Sequence, residues 1–210
     1  MYDDVLGVIL AGGRSTRYGS PKALACVGGV RIIDRVQNAM AQVTRDVVLI
    51  ANDPALAATA GLRWRPDIHP DAGALGGIHA ALEWAADESR LAILAAACDI
   101  PFLSISLLLA LAGRGMRADG AAGADAVVAE SGGRRGVEPL CAFYSVRCLD
   151  AIARAIRAGD RRMIGFYDDV RVERIPLEEV ETFGDVRELF LNVNTPEDRE
   201  QAERINAIRG

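Results

Sequence analysis

Apolar and polar positions alternate along the chain on two periods, one suited to buried strands and the other to amphipathic helices. Val5-Leu6-Gly7-Val8-Ile9-Leu10 is a continuous apolar run that ends at Ala11-Gly12-Gly13. Such a run suits a strand covered on both faces and feeding a tight loop. From Arg31 to Val43 the residues Ile32, Ile33, Val36, Met40 and Val43 recur at helical spacing. Asp46 to Ala51 reads as a second buried strand that ends at Asn52-Asp53-Pro54, and Leu62 to Arg65 as a short third. A helix over Gly76 to Asp87, a strand over Leu91 to Ala97 and a helix beginning near Ser104 follow. Gly113 to Gly123 reads as an exposed loop. Asp125 to Glu130 and Pro139 to Tyr144 read as strands joined by a turn at Gly132 to Gly136. The pattern closes with helices over Val146 to Ala158 and Pro196 to Ile208, and a short strand over Leu189 to Val193. Alternating strands and helices with short connections predict an α/β fold, a mostly parallel central sheet flanked by helices. With no repeat and no dividing linker, 210 residues are expected to form one domain.

Composition narrows the function. Half the residues are hydrophobic and the net charge is −5, which argues against a general nucleic-acid binder. The longest apolar run, Leu91 to Cys98, is too short to span a bilayer, and the acidic start Met1-Tyr2-Asp3-Asp4 is unlike a secretory leader. A cytoplasmic location is expected, with no membrane and no nucleic acid among the partners. The four cysteines form no CxxC pair and have no histidine at zinc spacing, so they read as reduced and structural.

In open α/β sheets ligands bind outside the carboxyl ends of the strands. At the first such end the chain reads Leu10-Ala11-Gly12-Gly13-Arg14-Ser15-Thr16-Arg17-Tyr18-Gly19-Ser20-Pro21-Lys22. Five residues rather than four separate Gly13 from Gly19, and Lys22 is followed by Ala23, so a Walker A loop is excluded. A GxGxxG fingerprint is also absent. Phosphate-binding physics remains, because glycines admit backbone N–H groups close to an anion. Of 24 basic residues only Lys22 is lysine, and it falls in this loop beside Arg14 and Arg17. At another strand end Asp99 follows eight apolar residues in Cys98-Asp99-Ile100-Pro101. There it reads either as a Mg²⁺ ligand beside substrate phosphates or as the cap of the next helix. The glycine loop favours the metal. His69, in a loop, and His79, on a helix, read as surface or packing residues, with His69 alternatively near the nucleotide.

Taken in order, these segments are a resemblance. The glycine loop with its lysine, Gly73-Ala74-Leu75-Gly76-Gly77, Cys98-Asp99-Ile100-Pro101, Glu138-Pro139-Leu140-Cys141-Ala142-Phe143-Tyr144, Gly159-Asp160-Arg161-Arg162 and Asn192-Val193-Asn194-Thr195-Pro196-Glu197-Asp198 are similar to those of the molybdenum cofactor guanylyltransferases. The resemblance covers nearly the whole chain and implies a single-domain, Rossmann-like nucleotidyltransferase fold. It further implies transfer of GMP from GTP to the terminal phosphate of molybdopterin, with release of pyrophosphate and Mg²⁺ as cofactor. On it, Lys22 and Asp99 are catalytic, with Asp99 holding the metal. Leu10, Ala11, Gly12, Gly13, Arg14, Arg17, Lys22, Asn52, Asp67 and Asp99 bind the nucleotide, and Asn192, Asn194 and Arg161 the molybdopterin. Transient contact with cofactor-synthesis proteins, chaperones or recipient molybdoenzymes is implied in the same way. The chain departs from the family at several places. Pro21 stands where aspartate is usual, Tyr18 where methionine is, Glu138 where some members carry histidine, and Ala74 and Gly76 alter a Gly-Pro-Leu-Ala-Gly pattern. Rival readings are a molybdopterin cytidylyltransferase, a related sugar-phosphate nucleotidyltransferase and a non-catalytic nucleotide or molybdopterin carrier. The Leu-Ala-Gly-Gly start favours the guanylyl type.

Overall fold

A computed structural model describes residues 1–12, 24–117, 123–133 and 136–209. The expected phosphate-loop residues Gly13, Arg14, Arg17 and Lys22 lie outside the described residues.

The strands are β1 (Val5–Ala11), β2 (Cys26–Val27), β3 (Val30–Arg31), β4 (Val47–Ala51), β5 (Arg63–Arg65), β6 (Ala92–Ala97), β7 (Ala126–Glu130), β8 (Val137–Ser145) and β9 (Val172–Ile175). The helices are α1 (Ile32–Met40), α2 (Pro54–Ala60), α3 (Ala74–Asp87), α4 (Ile105–Gly115), α5 (Leu149–Arg157), α6 (Leu177–Val180), α7 (Val186–Leu189) and α8 (Pro196–Arg209). Seven strands form one sheet in the order β5-β4-β1-β6-β8-β7-β9, and β2 and β3 form a separate small hairpin. β5, β4, β1 and β6 run parallel. β8 is antiparallel to both its neighbours, and β9 pairs parallel with β7.

The apolar run of β1 explains its central place. Val5 and Ile9 join the core beneath α1 and α4, whereas Leu6, Val8 and Leu10 join the core beneath α3 and α5. Successive side chains point to opposite faces, so a strand apolar throughout needs cover on both. Gly7 is required where β1 passes the α1–β4 connection, since a Cβ there would sit 2.4 Å from Thr44 Oγ1.

The structure corrects two sequence expectations and adds elements, α2 and β9 among them, that the pattern did not show. No strand forms over Leu189 to Val193: the Asp185 carboxylate accepts from Arg187 N at 2.9 Å and caps the short α7, after which the chain is irregular. The helix expected to stop before Gly113 runs on to Gly115, which packs against the Phe143 ring. α2 arises because Asp53 accepts from Ala55 N at 2.9 Å and Pro54 fits the first helical turn. β9, only four residues long, is an edge strand whose Val-Glu-Arg-Ile alternation is too short to show as a period. The cysteines are free, as expected. Among the described residues no helix is long and apolar enough to cross a membrane.

Candidate active site

The parallel half of the sheet sets the expected residues out along one edge. Asp67, Asn52, Gly12 and Asp99 follow the carboxyl ends of β5, β4, β1 and β6, which are adjacent in that order. Three inter-strand steps of about 4.8 Å make a row of roughly 14 Å. Along it, hydrogen bonds join the ends in pairs. Asn52 Oδ1 accepts from the backbone N–H of Asp67 at 2.8 Å, so the side chain at the end of β4 fixes the loop after β5. On the other side, Cys98 N–H donates to the Leu10 carbonyl at 3.1 Å, which carries the β1–β6 pairing up to the residue before Asp99.

The Asp67 end is tightly built. Its Oδ1 accepts from His69 N at 2.7 Å, closing a local turn. The first turn of α3 presses against it, and only glycine fits at position 76. A Cβ there would stand 2.5 Å from the His69 carbonyl oxygen and 2.8 Å and 3.0 Å from the two Asp67 carboxylate oxygens. Partial burial raises the Asp67 carboxyl above the ordinary aspartate value, against the opposing His69 N–H bond. His79 on α3 is buried and meets the His69 ring edge-on at 5.1 Å between centroids. Burial also lowers its pKa, so it is neutral at pH 7. His79 is therefore a core residue rather than a surface one, and His69 stands beside Asp67.

At the Asp99 end the capping alternative is removed, because Ser104 and not Asp99 caps α4. Asp99 is half-buried, and its carbonyl accepts from Val193 N–H at 2.9 Å. That bond sets the Asn192–Asn194 segment beside the end of β6. The rest of the segment is a helix start. Asp198 Oδ2 accepts from Asn194 N and Thr195 N, both at 2.9 Å, and Thr195 Oγ1 accepts from Asp198 N at 3.2 Å. This is a capping box with proline in the first turn of α8. Part of the Asn-x-Asn-Thr-Pro-Glu-Asp pattern is thus helix-terminus chemistry that holds the two asparagines in place. Among the described residues no cluster of three or more His, Cys, Asp or Glu side chains gathers to hold a metal. One carboxylate with hard oxygen donors suits Mg²⁺, which takes one or two carboxylates and completes its shell with water and phosphate oxygens.

Of the three residues expected at the molybdopterin, Asn192 and Arg161 line two different cavities, and Asn194 lines neither. Asn192 lines a groove of about 880 Å³ together with Ser131, Glu138 and Phe190. Arg161 lines a separate cavity of about 250 Å³ with His69 and Asp71, at the Asp67 end. The sequence reading did not connect Ser131 with Glu138, whose Oε1 accepts from the Ser131 hydroxyl at 2.7 Å. The Ser131 N–H donates to the Gly136 carbonyl at 3.0 Å, which brings the ends of β7 and β8 together, and no spacing in the sequence signals the side-chain bond.

An open, mostly parallel sheet with a glycine-ended central strand, and with carboxylate and amide side chains along its carboxyl edge, belongs to the class of α/β proteins that bind ligands at that edge. Residues 7–172 match the family model for the MobA-like NTP transferase domain. The "probable molybdenum cofactor guanylyltransferase" of Pelotomaculum thermopropionicum is 38% identical over 91% of this chain and 88% of its own. The molybdenum cofactor guanylyltransferase of Desulfosudis oleivorans is 36% identical over 96% of this chain and 95% of its own. The crystal structure of molybdopterin-guanine dinucleotide biosynthesis protein A from Archaeoglobus fulgidus matches with a TM-score of 0.79 at 27% identity, over 97% of this chain and 100% of that one. The chain belongs to the MobA-like nucleotidyltransferases, within the molybdenum cofactor guanylyltransferase family.

Proposed function

We propose that this protein, as one nucleotidyltransferase domain acting in the cytoplasm, transfers GMP from GTP to the terminal phosphate of molybdopterin and releases pyrophosphate. The observation that carries the reading is the row Asp67, Asn52, Gly12, Asp99 along one sheet edge, with the Asn192–Asn194 segment bonded to its Asp99 end. A row of that length accommodates a mononucleotide from base to phosphate. The Asp67 carboxylate matches guanine, which offers adjacent N1–H and N2–H donors, whereas cytosine offers only its amino group. Loop amides with Arg14 or Arg17 hold the β- and γ-phosphates, and Lys22 bears on the α-phosphate. Asp99 holds Mg²⁺, which when bound neutralises charge on the phosphates. The attacking group is a phosphate monoester with a second pKa near 6, already largely ionised at pH 7, so no general base is required. Catalysis then rests on alignment and charge neutralisation.

Pyrophosphate release with Mg²⁺ and molybdopterin, compared across GTP, CTP, ATP and UTP, tests this directly. Release with GTP, abolished in Lys22→Ala, is expected. Preference for CTP would overturn the base choice and keep the chemistry. Binding without release for every nucleotide would leave a carrier in place of an enzyme.

A further inference from the structure

The cavity of about 250 Å³ lies against the Asp67 end of the row, between the segment from Ile68 to Ala72 and the loop that follows α5. His69 forms part of its wall and is one hydrogen bond from Asp67, whose Oδ1 accepts the His69 backbone N–H at 2.7 Å. Ile156, Gly159 and Arg161 line it from α5 and its loop. Two adjacent arginines of that loop do different work. The Arg162 guanidinium donates to Asp160 Oδ1 at 3.0 Å and to Oδ2 at 2.6 Å, and the Arg162 backbone N–H donates to Oδ1 at 2.9 Å, which closes the loop on itself. Met163 then anchors it in the core beneath α3 and α5. Arg161, held between Asp160 and these anchors, lines the cavity instead. Among the described residues it has no carboxylate at ion-pair distance, Asp71 of the same cavity included.

We propose that Arg161 is a specificity-determining residue that donates to the O6 carbonyl of guanine at this cavity. The proposal rests on the transferase reading above, in which Asp67 accepts guanine N1–H and N2–H. O6 is the next group along the same edge of the base, so whatever meets it must donate and must stand beside Asp67. A guanidinium carries five N–H donors and no acceptor. The two contacts together select one base. Where guanine has O6, adenine and cytosine carry an amino group, a donor that a guanidinium rejects. Uracil has a carbonyl there but a single N–H beside it, so it offers Asp67 one donor where guanine offers two. A guanidinium also binds phosphate, but position decides against that here. The proposed point of reaction is at Asp99, three inter-strand steps or roughly 14 Å along the edge, whereas Arg161 stands at the Asp67 end. Base choice is then shared between an acceptor after β5 and a donor after α5.

Calorimetric titration with GTP and with 6-thio-GTP, in which sulfur replaces O6 while N1–H and N2–H remain, tests the contact without turnover or acceptor. Sulfur is a weak acceptor, so the wild type is expected to bind GTP about tenfold more tightly, the scale of a hydrogen bond to a charged group. Arg161→Met, an unbranched side chain without donors, should bind the two within about twofold of each other. ITP, which keeps O6 and lacks the 2-amino group, separates the contacts: its deficit against GTP should persist in Arg161→Met and shrink in Asp67→Asn. In steady-state assays Arg161→Met should raise the KM for GTP by about tenfold, while the KM for molybdopterin, which reports an intact fold, stays within about twofold. A wild type that binds GTP and 6-thio-GTP alike, or Arg161→Met with the preference intact, overturns the proposal. A loss that falls on the KM for molybdopterin alone also overturns it and assigns Arg161 to the acceptor. Failure of the wild type to form any dinucleotide from GTP and molybdopterin would overturn the transferase reading, and the titration would still decide Arg161.

Discussion

The proposed nucleoside end of the site and its proposed acceptor end are built by different means. At the nucleoside end each polar residue follows a parallel strand, and the backbone pairs that hold it are those of the sheet: Asn52 after β4, Asp67 after β5, Gly12 after β1. At the acceptor end the sheet turns antiparallel, and the groove is walled by a hairpin turn, two four-residue helices and an irregular segment. Parallel strands place ligand residues by register, so they leave little room for variation. Turns and short helices place them by local caps such as Asp185 on α7 and the Thr195–Asp198 box on α8. The two ends should therefore respond differently to substitution, with base choice failing at one and acceptor choice at the other.

Asp99 stands between them, and its loss should strike both. Asp99→Asn is expected to lower turnover by about 100-fold or more, because it removes the carboxylate proposed to hold the metal. GTP affinity, measured by calorimetry without acceptor, should fall far less. A variant with turnover near that of the wild type would remove the metal from Asp99 and with it the division of the site at β6.

Asp67→Asn should act on the nucleoside end only. Preference for GTP over CTP is expected to fall by about 10- to 100-fold, the range for loss of a paired contact to a base edge. The pH dependence has a definite sign. Burial raises the Asp67 carboxyl above its ordinary value, so it takes up a proton at a higher pH than an exposed aspartate. On the proposed contact guanine's donors then lose their acceptor, and GTP affinity should weaken as the pH is lowered, at a higher pH than an ordinary aspartate would cause. In Asp67→Asn that acid-side weakening should vanish. Gly76→Ala reaches the same carboxylate from α3. The added methyl cannot stand 2.5 Å from the His69 carbonyl, so the 67–69 turn must move. A rise of about tenfold in the KM for GTP, with the KM for molybdopterin unmoved, is expected. Equal change in both would mean that the two ends are not separate.

The same contrast governs what the sequence discloses. Buried parallel strands show as unbroken apolar runs ended by glycine, asparagine or aspartate, so Val5–Leu10, Asp46–Ala51 and Leu91–Ala97 were legible together with the edge residues that follow them. For Asp99 the sequence offers a metal ligand or a helix cap; Ser104 caps α4, and the metal role of Asp99 is part of the proposal. The acceptor half hides its structure in interactions with no period. Leu189–Val193 has the apolar content of a strand, but a cap at Asp185 decides for a helical turn. The Ser131–Glu138 bond depends on the geometry of one turn and has no signature in spacing. Arg161 was grouped with Asn192 by family resemblance, and the loop after α5 carries it to the other end, beside His69.

Both histidines of the chain stand in the nucleoside half, which gives the smallest predicted effect its direction. His79 is 5% exposed, its Nδ1 has no hydrogen-bond partner among the described residues, and its neighbours across the packing are His69, Asp67 and Arg157, with Glu83 on its own helix. Burial holds its pKa below the ordinary histidine value, and Arg157 and His69 act in the same sense, while Glu83 and Asp67 oppose them. As the pH falls through about 6.5 the unfolded chain takes up this proton and the folded chain does not. The unfolded state then binds more protons, so stability is lost as the pH is lowered below that point and is recovered above it. His79→Gln, neutral throughout, should lose less Tm between pH 7.5 and 5.5 than the wild type does. The difference is expected to be a few degrees, the scale on which a chain of this length registers about 1 kcal/mol. Glu138→Gln, at the far end of the sheet, should leave the wild-type slope over this interval unchanged. If Glu138→Gln flattened the slope as His79→Gln does, acid sensitivity would belong to the whole fold and not to the packing beneath Asp67.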